Sequence, residues 1–203
     1  MRVLVIDCGM GNLGSVQAAV KTLNYSAEIR SKPDNNSYDK IILPGVGNFN
    51  AAVKALRNNG WIDYISEVVK VKNKPILGIC LGMQLLASTG EEGEQVNGLN
   101  LIGGHVIHLR NIGCKKTIPH VGWNSTKISR ESVIFKGIKS ENDFYYLHSY
   151  CFSPRRRENV VATVFHDKEI VAAIEQEHIF GTQFHPEKSS RIGLKVLENF
   201  LRF

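Results

Sequence analysis

One cysteine stands between two glycines where an apolar run gives way to a helical pattern. The run 75–79 is typical of a central strand covered on both faces, and Cys80 follows it in the arrangement Gly78-x-Cys80-x-Gly82. Glycines at these two positions let the chain fold back closely around a strained nucleophile. A helix beginning after Cys80 would direct its free N–H groups at the sulfur and favour the thiolate. The sequence therefore predicts a nucleophilic Cys80 rather than a buried structural thiol.

A histidine suited to serve this cysteine lies far along the chain. His185 follows the short β-like run 181–184, and Pro186 and Glu187 come directly after it. Because proline fixes φ, the carboxylate of Glu187 is held within reach of the imidazole and can set its tautomer. Histidine can act both as the base and as the acid that protonates a leaving ammonia. We therefore predict a triad of Cys80, His185 and Glu187, with His120 and His148 left open as other bases.

Attack on an amide carbonyl creates an oxyanion that needs preorganised N–H donors. The stretch Pro44–Gly47 ends the predicted strand Lys40–Leu43, and in a parallel sheet that end shares an edge with Cys80. The N–H of Val46 or Gly47, together with that of Leu81, is the predicted oxyanion hole. An ordinary Pro-Gly turn is the alternative for this stretch.

A second glycine motif points to a different function. The stretch Gly9–Gly14 follows the first strand and matches the dinucleotide pattern G-x-G-x-x-G, with Glu28 at a suitable distance for a ribose contact. However, Glu28 lies near the start of the second predicted strand rather than its end, and the chain is short for a full dinucleotide fold. We interpret Gly9–Gly14 as a glycine turn at a subunit face.

The elements that position these residues follow an α/β order. Short β-rich runs alternate with helical stretches up to position 90, which predicts a parallel sheet. The second half is β-rich and partly antiparallel, and apolar residues at helical spacing predict a closing helix in 188–203. Further predicted elements are strands at 3–6, 28–30, 105–109, 123–128, 143–148, 160–165, 170–174 and 179–184, and helices at 15–23, 49–70 and 81–87.

Composition excludes several classes of protein. The 203 residues are 43% hydrophobic and 22% charged, which is typical of one globular domain spanning 1–203. The net charge of +6 comes with short basic stretches that lack interleaved aromatics, so we expect no nucleic-acid partner. The N-terminal apolar run is too short for a signal or a membrane span, which predicts a cytoplasmic protein without a membrane partner. The four cysteines lack metal or disulfide spacing, so neither a metal nor a cofactor is expected.

Two segments together resemble a known family. The stretches 78–84 and 183–187 closely resemble the paired signatures of class I, or triad-type, glutamine amidotransferases. The segments 44–47, 119–124, 146–150 and 188–190 narrow the resemblance to the glutaminase subunits of imidazole glycerol phosphate synthases over essentially the whole chain. It implies a flavodoxin-like three-layer fold with a mainly parallel central sheet and additional antiparallel strands in the second half. It also implies hydrolysis of glutamine through a thioester on Cys80.

The resemblance also assigns substrate and partner residues. Substrate contacts are expected from Gln84, Glu92 and the backbone of Gly47, Ser149 and Tyr150, although Glu91 and Glu94 compete with Glu92 for the amino group. Ammonia would pass to a (β/α)₈ cyclase subunit within a heterodimer, and that partner would make imidazole glycerol phosphate and an aminoimidazole ribotide in histidine biosynthesis. The expected partner-facing residues are Gly9, Met10, Gly11, Asn12, Pro119 and Trp123.

Two departures from the family pattern keep other functions open. The loop 87–90 lacks the phenylalanine and acids that often follow Gln84, and 99–104 varies a usual glycine-rich pattern. One alternative is a related subunit that supplies ammonia for amidation of a surface sugar. A second is a cysteine hydrolase that works without a partner and does not need Gln84.

Overall fold

Strands and helices alternate along the first half of the chain, as predicted. The computed structural model describes residues 1–203. Its strands are β1 (Arg2–Ile6), β2 (Ser26–Arg30), β3 (Lys40–Gly45), β4 (Ile76–Cys80), β5 (Thr89–Gly90), β6 (Val96–Asn97), β7 (Gly104–His108), β8 (His120–Ile128), β9 (Asn142–His148), β10 (Tyr150–Pro154), β11 (Val160–His166), β12 (Lys168–Gln176) and β13 (Ile179–Thr182). Its α-helices are α1 (Leu13–Thr22), α2 (Phe49–Asn58), α3 (Trp61–Ile65), α4 (Leu81–Leu85) and α5 (Ser190–Arg202).

Nine of the strands form one mixed sheet. Their order is β2-β1-β3-β4-β13-β12-β11-β8-β9. The strands from β2 to β13 in this order run parallel, and the rest are antiparallel to their neighbours. A small second sheet has the order β10-β7-β5-β6. The parallel part and the antiparallel strands added by the second half agree with the predicted fold class.

The side chains of β1 show how the sheet becomes the middle of three layers. Val3 and Val5 belong to the apolar cluster that contains the buried residues of α1 and α5. Leu4 and Ile6 belong to a second cluster, with the buried residues of α2 and α3. Because successive side chains of a strand point to opposite faces, the apolar run 3–6 of one strand serves both layers. The predicted three-layer arrangement follows from this alternation.

Several predicted boundaries were wrong. The helix after Cys80 ends at Leu85 instead of position 87, because Ser88 N–H donates to Gly104 O at 3.0 Å as the chain joins the second sheet. The strand predicted to reach 184 ends at Thr182, and the strand around Glu28 begins two residues earlier, at Ser26. The helical stretch 49–70 breaks near Gly60 as predicted, and it ends in a π-helical turn.

Three strands were not predicted. β10 follows β9 after a single residue but pairs with β7 in the second sheet, so the chain changes sheets at Ser149. β5 and β6 are two residues long each, which is too short for a periodic signal. No helix of the chain has both the length and the apolar character that crossing a membrane requires.

Candidate active site

The predicted site residues meet at one edge of the parallel sheet. β3, β4 and β13 are neighbours, with Gly45 beside Cys80 and Thr182 beside Ile79. Their carboxyl ends carry, in that order, Val46 and Gly47, Cys80, and the segment that leads to His185. The strand predicted to end at Leu43 therefore continues to Gly45. Crevices at the carboxyl ends of parallel strands are where α/β proteins bind ligands. The expectation that these distant segments share one edge is met.

Cys80 adopts a strained backbone conformation. Its φ of 54° and ψ of −108° lie outside the regions that L-residues favour. The two glycines around it are required by space: a Cβ on Gly78 would lie 2.5 Å from Gly82 O, and one on Gly82 would lie 1.7 Å from Leu43 O. The strand-to-helix turn therefore has the geometry that the glycine spacing predicts.

The sulfur of Cys80 has two protein hydrogen-bond partners. Its thiol donates to Leu147 O at 3.5 Å, and Nε2 of Gln183 donates to the sulfur at 3.7 Å. α4, which follows Cys80, has only five residues, so it offers the sulfur a single turn of aligned peptide dipoles. The predicted activation by a helix N-terminus is therefore weaker than a longer helix would supply, and specific neighbours matter more.

His185 and Glu187 form a buried pair. Nδ1 of His185 lies 2.9 Å from Oε1 of Glu187, and both side chains are only 3% exposed. Nε2 of His185 and Oε2 of Glu187 have no hydrogen-bond partner in the chain. Burial disfavours the imidazolium, but the neighbouring Cys80 and the carboxylate of Glu187 outweigh burial and raise the pKa of His185 above its usual value. The charged form of the imidazole is therefore favoured next to Glu187 and Cys80.

The loop that carries the pair is tied to β9. His185 N–H donates to Tyr145 O at 2.9 Å. The hydroxyl of Ser189 donates to His185 O at 2.6 Å and accepts from Tyr145 N–H at 3.0 Å. With Pro186 fixing the intervening φ, these bonds hold the imidazole in one position. Preorganisation of this kind is what acid–base catalysis requires.

A cavity of about 340 Å³ opens beside Cys80. This volume is at the small end of the roughly 300–1,000 Å³ found for ligand sites, which suits a ligand of amino-acid size. It is lined by Gly47, Asn48, Cys80, Leu81, Gln84, Glu92, Pro119, Leu147, His148, Ser149 and Tyr150. All five predicted substrate-contact residues belong to this lining.

Two cavity residues have polar groups placed for a ligand. Gln84 is 4% exposed, and its Nε2 donates to Tyr150 O at 2.9 Å. Oε2 of Glu92 accepts from Phe49 N–H at 2.6 Å at the start of α2, which holds the carboxylate in place. Of the three neighbouring acids that the sequence could not separate, only Glu92 lines the cavity, while Glu91 and Glu94 are exposed.

The residues predicted to form the oxyanion hole line two different hollows of the protein. Gly47 and Leu81 line the cavity beside Cys80. Val46 lines a narrow cleft behind it, together with His185 and Glu187. Gly11 and Asn12 line the same cleft, so the first glycine motif packs against the Pro44–Gly47 stretch.

The residues of the dinucleotide pattern are engaged in structural contacts. Oδ1 of Asn12 accepts from Ser15 N–H at 3.2 Å and caps α1. Glu28 forms ion pairs with Arg2 on β1, at 2.7 Å, and with Arg30 on its own strand β2, at 2.5 Å. Its carboxylate is therefore already paired, which agrees with interpreting Gly9–Gly14 as a turn.

The remaining predicted partner-facing residues are accessible. Trp123 is 55% exposed on β8, and Pro119 is exposed next to the cavity. Two further apolar side chains, Val121 at 54% and Leu147 at 36%, are exposed where β8 pairs with β9. We call Val121, Trp123 and Leu147 the β8–β9 face. A face of this composition is typical of a protein contact.

Two buried residues next to the nucleophile are not part of the predicted triad. Gln183 is fully buried and contacts the sulfur of Cys80. It lies within the signature segment 183–187, but the sequence interpretation gave its side chain no role. His148, left open as a base, lines the cavity. However, its Nδ1 donates to Tyr150 O at 2.9 Å and its Nε2 accepts from Nδ1 of His120 at 3.0 Å, so neither nitrogen is free to take a proton.

A larger hollow of about 770 Å³ lies elsewhere, at the end of β8. Its lining includes Arg130, Ser132 and Glu175, and it contains neither a cysteine nor a histidine. The nucleophile lines the smaller cavity, and the base lines the narrow cleft that Ile79, the neighbour of Cys80, also lines. The region around Cys80 is therefore the candidate active site.

Comparison with known families agrees with this geometry. The model of the family "Glutamine amidotransferase class-I" matches residues 4–202. The chain therefore belongs to the class I glutamine amidotransferases.

Curated relatives narrow the family. Proteins named imidazole glycerol phosphate synthase subunit HisH are 46% identical in Moorella thermoacetica, over 98% of this chain and 93% of that protein, and 43% identical in Chlorobaculum tepidum, over 99% and 100%. The HisH protein of Pelagibacter ubique is 41% identical over 99% of both chains. Identity of this extent makes the chain a member of the HisH family.

Solved structures share the fold. A structure described as glutamine amidotransferase superposes with a TM-score of 0.77 at 17% identity and covers 98% of this chain and 97% of its own. The structure of PurLQS from Thermotoga maritima superposes with a TM-score of 0.75 at 20% identity, covering 99% and 97%. At such low identity these likenesses concern the fold, and they agree with the predicted flavodoxin-like class.

Proposed function

We propose that this chain is the glutaminase subunit of an imidazole glycerol phosphate synthase, with Cys80 as nucleophile, His185 as acid and base, and Glu187 as the group that orients His185. The observation that carries this proposal is the placement of the His185–Glu187 pair after β13, which pairs with β4 beside Cys80, while Cys80 lines a cavity with Gln84 and Glu92. The names of the curated relatives support a role in the synthesis of imidazole glycerol phosphate. They favour it over amidation of a surface sugar or a hydrolase that works alone.

The first half-reaction releases ammonia. The thiolate of Cys80 attacks the side-chain amide carbon of glutamine, and the oxyanion that forms is stabilised by the backbone N–H groups of Gly47 and Leu81. The C–N bond then breaks as His185 donates its Nε2 proton to the departing nitrogen. Because its pKa is raised, His185 is protonated before the attack and has this proton to give.

The second half-reaction hydrolyses the thioester. Once the sulfur is acylated, it no longer carries the charge that helps to raise the pKa of His185. The imidazole, which has given its proton to the ammonia, therefore stays neutral and can take a proton from water, whose oxygen attacks the thioester carbonyl. The C–S bond breaks, glutamate is released, and the thiolate and the imidazolium are restored together. The carboxylate of Glu187 accepts the hydrogen bond from Nδ1–H of His185 throughout.

The cavity supplies contacts for the rest of the substrate. One oxygen of Glu92 is held by Phe49 N–H, which leaves the other for the ammonium group of glutamine. We assign further substrate contacts to the amide of Gln84 and the backbone of Ser149 and Tyr150, since all three residues line the same cavity. Recognition by a carboxylate would select an α-amino group over neutral amides.

The accessible face beside the cavity supports a protein partner. We place a (β/α)₈ cyclase subunit against the β8–β9 face, Pro119 and the Gly9–Asn12 turn, forming a heterodimer that takes up the ammonia. The exposed apolar side chains next to the cavity support this placement. A contact there would keep the ammonia out of water.

Replacing the nucleophile tests the proposal. We expect Cys80→Ala to lower glutamate release by at least about 10³-fold, with or without the cyclase subunit, since loss of one member of a nucleophile–base pair has effects on this scale. Glutamate should be measured by a coupled enzymatic assay, and partner binding by calorimetry. Cys114→Ala, at a buried cysteine outside the cavity, is the matched control. Retained turnover in Cys80→Ala would exclude the mechanism.

A further inference from the structure

Gln183 occupies a position that the triad does not explain. It follows the last residue of β13, is fully buried, and its backbone N–H donates to Ala172 O at 2.8 Å. Its side chain lies between two groups of the active site, the sulfur of Cys80 and the amide of Gln84. A polar side chain buried at such a site is expected to be fully hydrogen-bonded.

The hydrogen-bond network fixes which end of each amide is the donor. Tyr150 O can only accept, so the end of Gln84 that lies 2.9 Å away must be its NH₂ group. The same NH₂ group lies 3.1 Å from the side chain of Gln183, which must therefore present its carbonyl oxygen. The NH₂ group of Gln183 is then the end that faces the sulfur of Cys80, at 3.7 Å.

A donor at this position distinguishes the two states of the sulfur. The thiol form can donate to Leu147 O, but a thiolate cannot and would be repelled by that oxygen. The NH₂ group of Gln183, in contrast, interacts more strongly with a charged sulfur than with a neutral one. Charge is present on the sulfur before it attacks glutamine, and it returns when the thioester breaks. A donor to the sulfur would therefore assist both half-reactions.

We propose that Gln183 is a further catalytic residue, which stabilises the Cys80 thiolate through its NH₂ group and holds Gln84 in position for the substrate through its carbonyl oxygen. This inference rests on the proposed function, in which Cys80 is the nucleophile. A purely structural role would require only that Gln183 fill its space and satisfy its own hydrogen bonds.

The test measures the thiolate directly. The ultraviolet absorbance of the thiolate should be followed against pH in the full chain. Each protein is compared with the same protein that also carries Cys80→Ala, so that the difference in absorbance reports Cys80 alone. Gln183→Met keeps the side-chain length and removes the donor. We expect it to move the pH midpoint of thiolate formation upward by about one unit, the scale of a hydrogen bond to a charged group. The turnover number should fall about tenfold, the factor that one unit represents.

Two more variants make the test decisive. Gln183→Glu keeps the shape but replaces the donor by a carboxylate, and it should move thiolate formation to a still higher pH. Gln84→Met removes the substrate contact and one hydrogen bond to Gln183 but keeps the donor to the sulfur. It should therefore raise KM and move the thiolate titration by less than Gln183→Met does.

The inference is overturned if thiolate formation is unchanged in folded Gln183→Met, or in Gln183→Glu should the methionine variant fail to fold. The titration needs neither glutamine nor a partner. Its result is therefore independent of the Cys80→Ala activity measurement, and the two proposals can fail separately.

Discussion

At the scale of single residues, the four cysteines differ in their surroundings although all are buried. Burial raises the pKa of Cys8, and burial together with the nearby Cys114 raises the pKa of Cys151 to about 12. Cys80 alone lines the cavity. Thiolates react and thiols do not, so access and charge should together select one cysteine.

Labelling should therefore be confined to the nucleophile. With a stoichiometric diazo-ketone analogue of glutamine, we expect mass spectrometry of digested protein to find the adduct on Cys80 only. Excess glutamine should protect it. An adduct on Cys8, Cys114 or Cys151 under these conditions would count against the assignment.

The carboxylate of Glu187 sets the proton affinity of His185. Its negative charge, 2.9 Å from Nδ1, is one of the causes that raise the pKa of His185. Glu187→Gln removes that charge, so the pKa of His185 should fall and the imidazolium should be lost at lower pH than in the natural chain. Because His185 must be protonated to release ammonia, the alkaline limb of kcat/KM should move to lower pH.

The measurement is a pH–rate profile of glutamate release for the natural chain and for Glu187→Gln. We also expect kcat to fall by about 10²-fold or more, since the amide can hold the wrong tautomer. An exposed acid, as in Glu94→Gln, is the matched control and should leave the alkaline limb in place. An unchanged alkaline limb in Glu187→Gln would show that Glu187 does not raise the pKa of His185.

At the scale of elements, the contact between β3 and α4 depends on one glycine. A Cβ on Gly82 would lie 1.7 Å from Leu43 O, and neither backbone segment can move without disturbing a central strand. We expect Gly82→Ala to destabilise the fold by at least about 3 kcal/mol, the upper range for overpacking. Urea unfolding followed by circular dichroism would measure the loss. Gly14→Ala in α1, where the nearest atom is 3.8 Å away, should leave stability unchanged or raise it.

β8 and β9 share a buried histidine pair that limits stability in acid. Burial lowers the pKa of His120 to about 4 and that of His148 to about 3. An unfolded histidine has a pKa of about 6.5, so the unfolded chain binds more protons at mildly acidic pH. Stability contributed by the neutral pair is therefore complete above about pH 6.5 and is lost as the pH falls through the lower values.

Removing one histidine should reduce this loss. In His120→Asn, the decline of the melting temperature between about pH 6.5 and pH 4 should be shallower, corresponding to about one proton fewer taken up on unfolding. Exposed His105 provides the control, and His105→Asn should retain the steep decline. An equal slope in all three proteins would mean that the pair is not the acid-sensitive element.

The elements also show how far local sequence signals extend. The strands β1, β3 and β4 and the turn at Cys80 could be predicted because apolar runs, glycine spacing and proline act over a few residues. The change of sheet at Ser149 could not, because the pairing of β10 with β7 depends on residues forty positions away, and no local pattern records it. The contact of Gln183 with Cys80 is of the same kind: the segment is recognisable, but the partner of the side chain is set by the packing of β13 on β4.

At the scale of the whole molecule, the cavity and the β8–β9 face are adjacent. Leu147 belongs to both, since its exposed side chain lies on the face while its carbonyl oxygen accepts from Cys80. Trp123 lies on the paired strand and packs edge-on against Tyr145, with ring centroids 6.2 Å apart. A partner bound to the face would therefore contact the chain next to the nucleophile. The arrangement agrees with a glutaminase that acts as a subunit.

Trp123 is the largest side chain of this face and should contribute most to binding. Truncating a tryptophan at the centre of an interface typically costs about 2 kcal/mol or more of binding free energy. Trp123→Ala should therefore weaken binding of the cyclase subunit about 30-fold. Glutamate release without the partner should be unchanged, because Trp123 does not line the cavity. At subsaturating partner, stimulated release should fall in proportion to the complex formed. Phe203, 50% exposed after α5, provides the matched control: Phe203→Ala removes a similar apolar area outside the face. Calorimetric titration would compare the three proteins, and natural affinity in Trp123→Ala would place the partner elsewhere.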